Sequence, residues 1–145
     1  MLKTLATIFA LGAAPLYAQG TLDDWTANPG APIAAQDIVL ADFIWQARPL
    51  IIFADTPLDP SFAEQMDLLR AEIEEVIERE VVIITDTDPA IPSALRTKLR
   101  PRGFMWVLVG KDGQVKLRKP FAWDVRELSR VIDKMPMRKR EIQSR

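Results

Sequence analysis

Three short runs of apolar and β-branched residues constrain the fold of this chain more than any other feature. The runs are not interrupted by charged residues, and they comprise Leu50–Ala54, Val81–Thr85 and Phe104–Val109. A continuous run of this length is typical of a strand that is buried on both faces of a sheet. Such strands need helices on both sides, so the sequence predicts an α/β architecture.

The segment between the first two runs predicts a long helix. Apolar residues recur at spacings of three and four over residues 62–77, which places them along one stripe of a helix of about five turns. Asp59 is in position to cap this helix, with Pro60 in its first turn, and Ser61 with Glu64 offers a second capping option. A short helix is expected at 93–99, and a last helix is expected at 124–135.

The last strand follows a tight turn. Lys111-Asp112-Gly113 has a hairpin signature, and residues 114–118 then alternate between polar and apolar, as a half-exposed edge strand does. Right-handed crossovers make the first two strands parallel neighbours, whereas the turn makes the last two antiparallel. The sequence therefore predicts a thioredoxin-like domain over residues 37–137, in which helices cover both faces of a mixed four-stranded sheet.

The two ends of the chain differ from this domain. Residues 1–18 have the pattern of a secretory signal peptide, with Lys3, an apolar run too short to span a bilayer, and Ala18 at the cleavage position. The alternative is an uncleaved anchor or a buried first helix. We expect export to the periplasm or out of the cell, without stable membrane insertion after cleavage. Residues 19–36 are expected to form a flexible lead-in, and residues 138–145 a basic tail that frays.

Neither cysteine nor histidine occurs in this chain of 145 residues. The absence of cysteine excludes disulfides, thiol catalysis and thiolate metal sites. The absence of histidine removes the commonest general base and the commonest ligand of transition metals. We therefore expect no redox activity, no cofactor and no resident metal, and the protein is predicted not to be an enzyme.

Three segments carry a resemblance to a known family. The segments Arg48–Ala54, Val107–Arg118 and Ile132–Arg138 are similar to the Domain of Unknown Function 4174 family, and the resemblance extends over about residues 40–141. It implies a thioredoxin-like fold and an extracytoplasmic setting, as in small exported bacterial proteins and in the C-terminal domains of animal extracellular proteins with sushi repeats. It implies no catalytic residues, because the family has no established activity.

In thioredoxins the two thiols follow the first core strand, at the start of the long helix, and face a proline that precedes the third core strand. The corresponding residues here are Asp55, Thr56, Asp59 and Ser61, with Met105 at about the position of the proline. Backbone donors at the start of the helix, together with the two hydroxyls, make these five residues a candidate binding site for an anion. The alternative is that these residues are ordinary loop and cap residues. The negative charge of the two aspartates favours this alternative, because it would repel an anion.

A second group of carboxylates supports a different function. Asp86-Thr87-Asp88 follows an apolar strand and resembles the Asp-x-Asp of haloacid-dehalogenase-type phosphotransferases, in which the first aspartate attacks phosphorus. Asp55, Asp59, Asp86 and Asp88 would all lie at strand ends, where open α/β sheets place their ligands. The alternative function is therefore a carboxylate-based or metal-dependent enzyme, and weak Ca²⁺ binding at Asp86 and Asp88 is left open.

Charge is unevenly distributed along the chain. Residues 55–88 include eleven acidic and two basic residues, whereas residues 96–119 include eight basic and one acidic. The segments predict either two solvated faces or a charged face that docks another envelope or extracellular protein. The near-neutral total gives no drive toward nucleic acid. The oligomeric state is left open.

Three tryptophans have two interpretations. Trp45, Trp106 and Trp123 could pack in the core, as large aromatic residues usually do, or could form an aromatic surface for a ligand. The sequence favours the core.

Overall fold

The structure is a computed structural model, and it describes residues 20–145. The expected signal segment, residues 1–18, lies outside this part of the chain. Within residues 20–145, no helix is long and apolar enough to cross a membrane. The strands and α-helices, in chain order, are α1 (Gly20–Ala27), β1 (Ile33–Ala34), β2 (Arg48–Phe53), α2 (Pro60–Ala71), α3 (Ile73–Glu78), β3 (Val81–Asp86), α4 (Ala94–Leu99), β4 (Met105–Val109), β5 (Val115–Lys119), α5 (Val125–Asp133) and α6 (Pro136–Gln143).

The strands form one mixed sheet in the order β1-β3-β2-β4-β5. Strand β2 lies at its centre, parallel to β3 and antiparallel to β4, and β5 returns antiparallel on β4. The expected tight turn joins these last two strands. Gly113 takes a φ of +80° there, which a residue without a Cβ adopts at little cost. The predicted parallel and antiparallel pairings are thus confirmed.

The prediction of four strands was wrong, because the sheet has five. Strand β1 pairs with β3 in parallel, with Ile33 opposite Ile84 and Ala34 opposite Thr85. It lies in the segment 19–36, which was expected to be irregular and which also contains α1. A strand of two residues is too short to produce a periodic pattern, so no local signal in the sequence indicates it.

Alternate side chains of β2 enter two separate cores. Leu50 and Ile52 pack beneath α2, α3 and α5, whereas Ile51 and Phe53 pack beneath α4 and two 3₁₀ turns, Ala35–Asp37 and Leu40–Phe43. All six residues of β2 are buried. The inference that continuous apolar strands require helices on both faces is therefore confirmed.

The expected five-turn helix is divided in two. Glu72 leaves helical geometry, with φ −126° and ψ 39°, between the end of α2 and the start of α3. Leu69 and Val76, on either side of the break, still belong to the same core. The apolar stripe therefore continues across the break, and neither glycine nor proline marks it in the sequence.

The C-terminal segment is helical and docked. Residues 136–143 form α6, which begins at Pro136 as helices often do. Arg138 is buried and donates to the Asp133 carboxylate (3.3 Å) and the Glu78 carbonyl (3.3 Å). The segment is therefore ordered rather than frayed, because Arg138 is buried against Asp133 and against Glu78, which is 60 residues away in the sequence.

The cap of α2 provides a test of the local structure. The Asp59 carboxylate accepts hydrogen bonds from the backbone N–H groups of Ser61 (2.8 Å) and Phe62 (3.1 Å). Asp59→Ala should lower the free energy of unfolding by about 1 kcal/mol, because two N–H groups lose their acceptor. Asp59→Ser, which retains a capping oxygen, should recover most of the loss in urea unfolding at pH 7. Equal stability of Asp59→Ala and the unaltered protein would contradict this role.

Candidate functional site

The carboxyl end of β2 is where the sequence predicts the counterpart of a thioredoxin thiol site. Phe53 pairs with Met105, so the loop that leaves β2 begins beside the first residue of β4. The sheet thus brings the segment 55–61 and Met105 to the same end, as the sequence predicts. Asp55 and Thr56 are exposed, and Thr56 Oγ1 accepts a hydrogen bond from the Leu58 N–H (3.3 Å).

The start of α2 has few donors left for an external anion. The N–H groups of Ser61 and Phe62 already donate to the Asp59 carboxylate. A bound anion would have to displace this carboxylate and would meet the negative charge of Asp55 nearby. The geometry therefore favours the interpretation of these residues as loop and cap residues.

Arg96 joins the ends of the two central strands. Its Nη2 lies 2.9 Å from Asp86 Oδ1 and donates to the carbonyls of Ala54 (2.9 Å) and Asp86 (3.1 Å). The guanidinium also lies over the Phe53 ring, 5.4 Å from its centroid. Ser93 Oγ donates to the other carboxylate oxygen of Asp86 at 2.6 Å. We call this group, Asp86, Ser93 and Arg96, the Arg96 clamp.

The four aspartates of the alternative function have separate roles. Asp86 is fully buried within the Arg96 clamp, whereas the side chain of Asp55 is 63% exposed, with Arg96 Nη1 3.9 Å away. Asp59 caps α2, and Asp88 accepts from the Ala90 N–H (3.0 Å) in the following turn. No group of three carboxylates within residues 20–145 is placed to hold a metal ion. A buried, hydrogen-bonded carboxylate such as Asp86 is poorly placed to attack a substrate.

A cavity of about 570 Å³ lies at the opposite end of the sheet. Arg48, the first residue of β2, and Lys111, which follows β4, lie in its lining. One side is formed by the junction of α5 and α6. The lining residues are Trp45, Arg48, Gly110, Lys111, Asp112, Lys116, Val131, Lys134, Met135, Pro136, Met137 and Arg140.

A buried ion cluster supports the floor of this cavity. Arg48 is only 1% exposed, although it lies in the central strand, and its Nη2 is 2.9 Å from Glu141 Oε1. Lys111 Nζ lies 2.7 Å from the same oxygen and also contacts Glu80. Arg48 Nη1 donates to the Arg79 carbonyl (2.8 Å). Glu141, on α6, therefore neutralises cations from the beginning of β2 and the end of β4.

These contacts alter the proton affinity of Glu141. Burial by itself would raise the pKa of the carboxyl, but hydrogen bonds from Arg48 and Lys111 outweigh this effect. The pKa of Glu141 consequently lies below its ordinary value. Burial likewise opposes ionisation of Asp133, yet Arg79 and Arg138 hold the pKa of Asp133 below its ordinary value. Both carboxylates are ionised at neutral pH.

The tryptophans are divided between core and cavity. Trp106 is buried and stacks on Trp123 with ring centroids 5.5 Å apart, as the core interpretation predicts. Trp45 is 61% exposed and lines the cavity, and its φ of +66° is rare for a bulky residue. The backbone N–H of Trp45 donates to the Lys111 carbonyl (2.8 Å), and this hydrogen bond holds the backbone in this conformation.

Sequence reasoning did not identify the cavity or its ion cluster. Two signals were present: Arg48 directly precedes a fully apolar strand, and Glu141 is the one acidic residue among 138–145. Neither signal indicates its partner, because 93 residues separate the two.

The chain has a thioredoxin-like fold. A chloroplastic thioredoxin z superposes with a TM-score of 0.55 at 17% identity, covering 70% of this chain and 91% of that one. A reduced 2-Cys peroxiredoxin of Plasmodium vivax gives 0.53 at 14% identity, with coverage of 71% and 85%. A mutant thioredoxin of Entamoeba histolytica gives 0.52 at 18% identity, with coverage of 72% and 100%. Identities this low show the fold alone.

The sequence assigns the family within this fold. The model of the domain of unknown function DUF4174 matches residues 39–141, and the chain belongs to that family. A search among curated proteins found no match. The family resemblance stated from the sequence is thus confirmed.

Glu141 offers a test of the ion cluster. Glu141→Gln should lower the free energy of unfolding at pH 7 by about 3 kcal/mol, because Arg48 keeps a buried charge without its counter-charge. A carboxyl with a lowered pKa stabilises the fold above its unfolded pKa, about 4.3, and this contribution disappears as pH falls through the folded pKa. The difference in the free energy of unfolding between Glu141→Gln and the unaltered protein should therefore narrow between pH 5 and pH 3.

A matched control is Glu127→Gln. Glu127 pairs with Arg130 on the exposed side of α5, so its loss should change stability by less than about 0.5 kcal/mol. Urea unfolding across this pH range measures both differences. A constant Glu141→Gln effect from pH 7 to pH 3 would show that the ion pair is not its source.

Proposed function

We propose that this protein is an exported, non-catalytic thioredoxin-like domain that acts as a binding module outside the cytoplasm. One observation carries the proposal: a thioredoxin-like fold is built here from a sequence without cysteine. The protein therefore lacks the thiol on which the chemistry of this fold depends.

The geometry of the usual reaction site supports the non-catalytic part. At that end of the sheet Asp86 is enclosed by Ser93 and Arg96, and Asp59 caps α2. Each of these groups has a structural partner. The alternative of a carboxylate-based or metal-dependent enzyme requires a convergence of aspartates that is not found within residues 20–145.

The opposite end of the sheet supports the binding part. A cavity of about 570 Å³ is within the size range of sites for small molecules, and it combines apolar side chains with cations. Export rests on residues 1–18, whose pattern is that of a cleavable signal. The protein would therefore meet its ligand or envelope partner after translocation.

The non-catalytic assignment predicts that the mature protein does not hydrolyse para-nitrophenyl phosphate in the presence of Mg²⁺ or Ca²⁺. Any residual rate should be unchanged in Asp88→Asn, whose altered side chain is exposed and makes only a local turn contact. If the unaltered protein hydrolyses this substrate and Asp88→Asn abolishes the activity, the result would support the alternative function as a carboxylate-based or metal-dependent enzyme.

Export predicts a defined mature chain. When the full chain is expressed in a Gram-negative bacterium, the protein recovered from the periplasm or medium should begin at Gln19 by intact mass. Leu11→Arg, which interrupts the apolar run, should leave an unprocessed protein in the cytoplasm, whereas Thr4→Ser should not. If the unaltered protein, Leu11→Arg and Thr4→Ser all remain in the cytoplasm at full length, the result would contradict export.

A further inference from the structure

We propose that the cavity between Trp45, the end of β4 and the α5–α6 junction binds a small amphipathic anion with an apolar body and one carboxylate. This inference rests on the proposed binding function and names its ligand class. The site lies at the opposite end of the sheet from the segment that corresponds to the thioredoxin thiols.

The charges around the cavity leave an excess of two positive groups. Arg48 and Lys111 are balanced by Glu141 and Glu80, and Lys116 lies 2.7 Å from Asp112 Oδ2. Lys134 and Arg140 also line the cavity and form no ion pair with any residue of 20–145. Both are exposed at its mouth. One carboxylate would neutralise one of these two positive charges and could accept hydrogen bonds from both groups.

The remaining lining is apolar. Val131, Met135 and Met137 are partly buried at the junction of α5 and α6, and Trp45 is 61% exposed. An exposed tryptophan in a strained conformation loses water-exposed apolar area when a ligand covers it. Methionine side chains adapt to ligands of varied shape. These residues favour an aliphatic or aromatic body over a fully hydrated anion such as phosphate.

Decanoate is a suitable probe, with decanol as its uncharged counterpart. In calorimetric titrations of the mature protein at low salt, decanoate should bind at one site, and decanol at least tenfold more weakly. Lys134→Glu with Arg140→Glu should weaken decanoate binding at least tenfold and leave decanol binding unchanged. Trp45→Ala should weaken both. Sodium chloride should weaken only the decanoate complex.

The control is Lys98→Glu with Lys139→Glu. This control changes the net charge by the same amount as Lys134→Glu with Arg140→Glu. Its two altered residues are exposed and lie outside the cavity lining. Its decanoate affinity should stay within twofold of the unaltered protein. Absence of decanoate binding, or an equal loss in both double variants, would overturn the proposal. Circular dichroism of each variant checks that the fold is retained, and Lys134→Gln with Arg140→Gln provides a milder second variant.

A native mass measurement separates this inference from the proposed function. The mature protein isolated from its own envelope fraction should carry an additional mass that denaturation removes, and the Lys134→Glu, Arg140→Glu variant should lose it. Retention of the additional mass by that variant would leave the binding function intact and overturn the cavity assignment. No additional mass on either protein, together with no decanoate binding, would overturn both.

Discussion

The burial of Arg48 at the start of the central strand is the constraint on which the C-terminal half of this structure depends. A guanidinium that is 1% exposed needs a counter-charge, because an unpaired buried charge is strongly destabilising. Glu141 supplies it from α6, and in doing so draws the last helix against the end of the sheet. The same carboxylate meets Lys111, so the start of β2, the end of β4 and α6 meet at one oxygen. Arg48, Lys111 and residues of α6 all lie in the lining of the cavity.

The two ends of the sheet differ in how their charged groups are arranged. At the carboxyl ends of β2 and β3, the Arg96 clamp closes the strand ends with a buried ion pair. At the other end, cations and apolar side chains surround open space. A fold does not determine its function, and here a member of a common fold has a cavity of about 570 Å³ away from the usual site.

Much of the fold followed from local patterns. The three continuous apolar strands required two layers of helices, and the Lys111-Asp112-Gly113 turn set the antiparallel pair; both features are present. The cap at Asp59 followed from residue type and position. The strand β1 could not be predicted, because pairing with β3 rather than its own two residues makes it a strand. The break at Glu72 and the order of α6 likewise depend on contacts with other elements.

The sequence alone determined the alternation of strands and helices, the absence of thiol chemistry and the family, because these depend on residue identity and on short-range periodicity. Only the tertiary structure decided which charges are neutralised. Arg48 with Glu141 and Asp86 with Arg96 are pairs whose partners meet through the packing of separate elements. Within residues 20–145, it also decided that Lys134 and Arg140 remain without ion-pair partners at a cavity mouth while neighbouring cations are balanced. Charge pairing depends on distances of a few ångströms, and folding sets such distances between residues that are far apart in the chain.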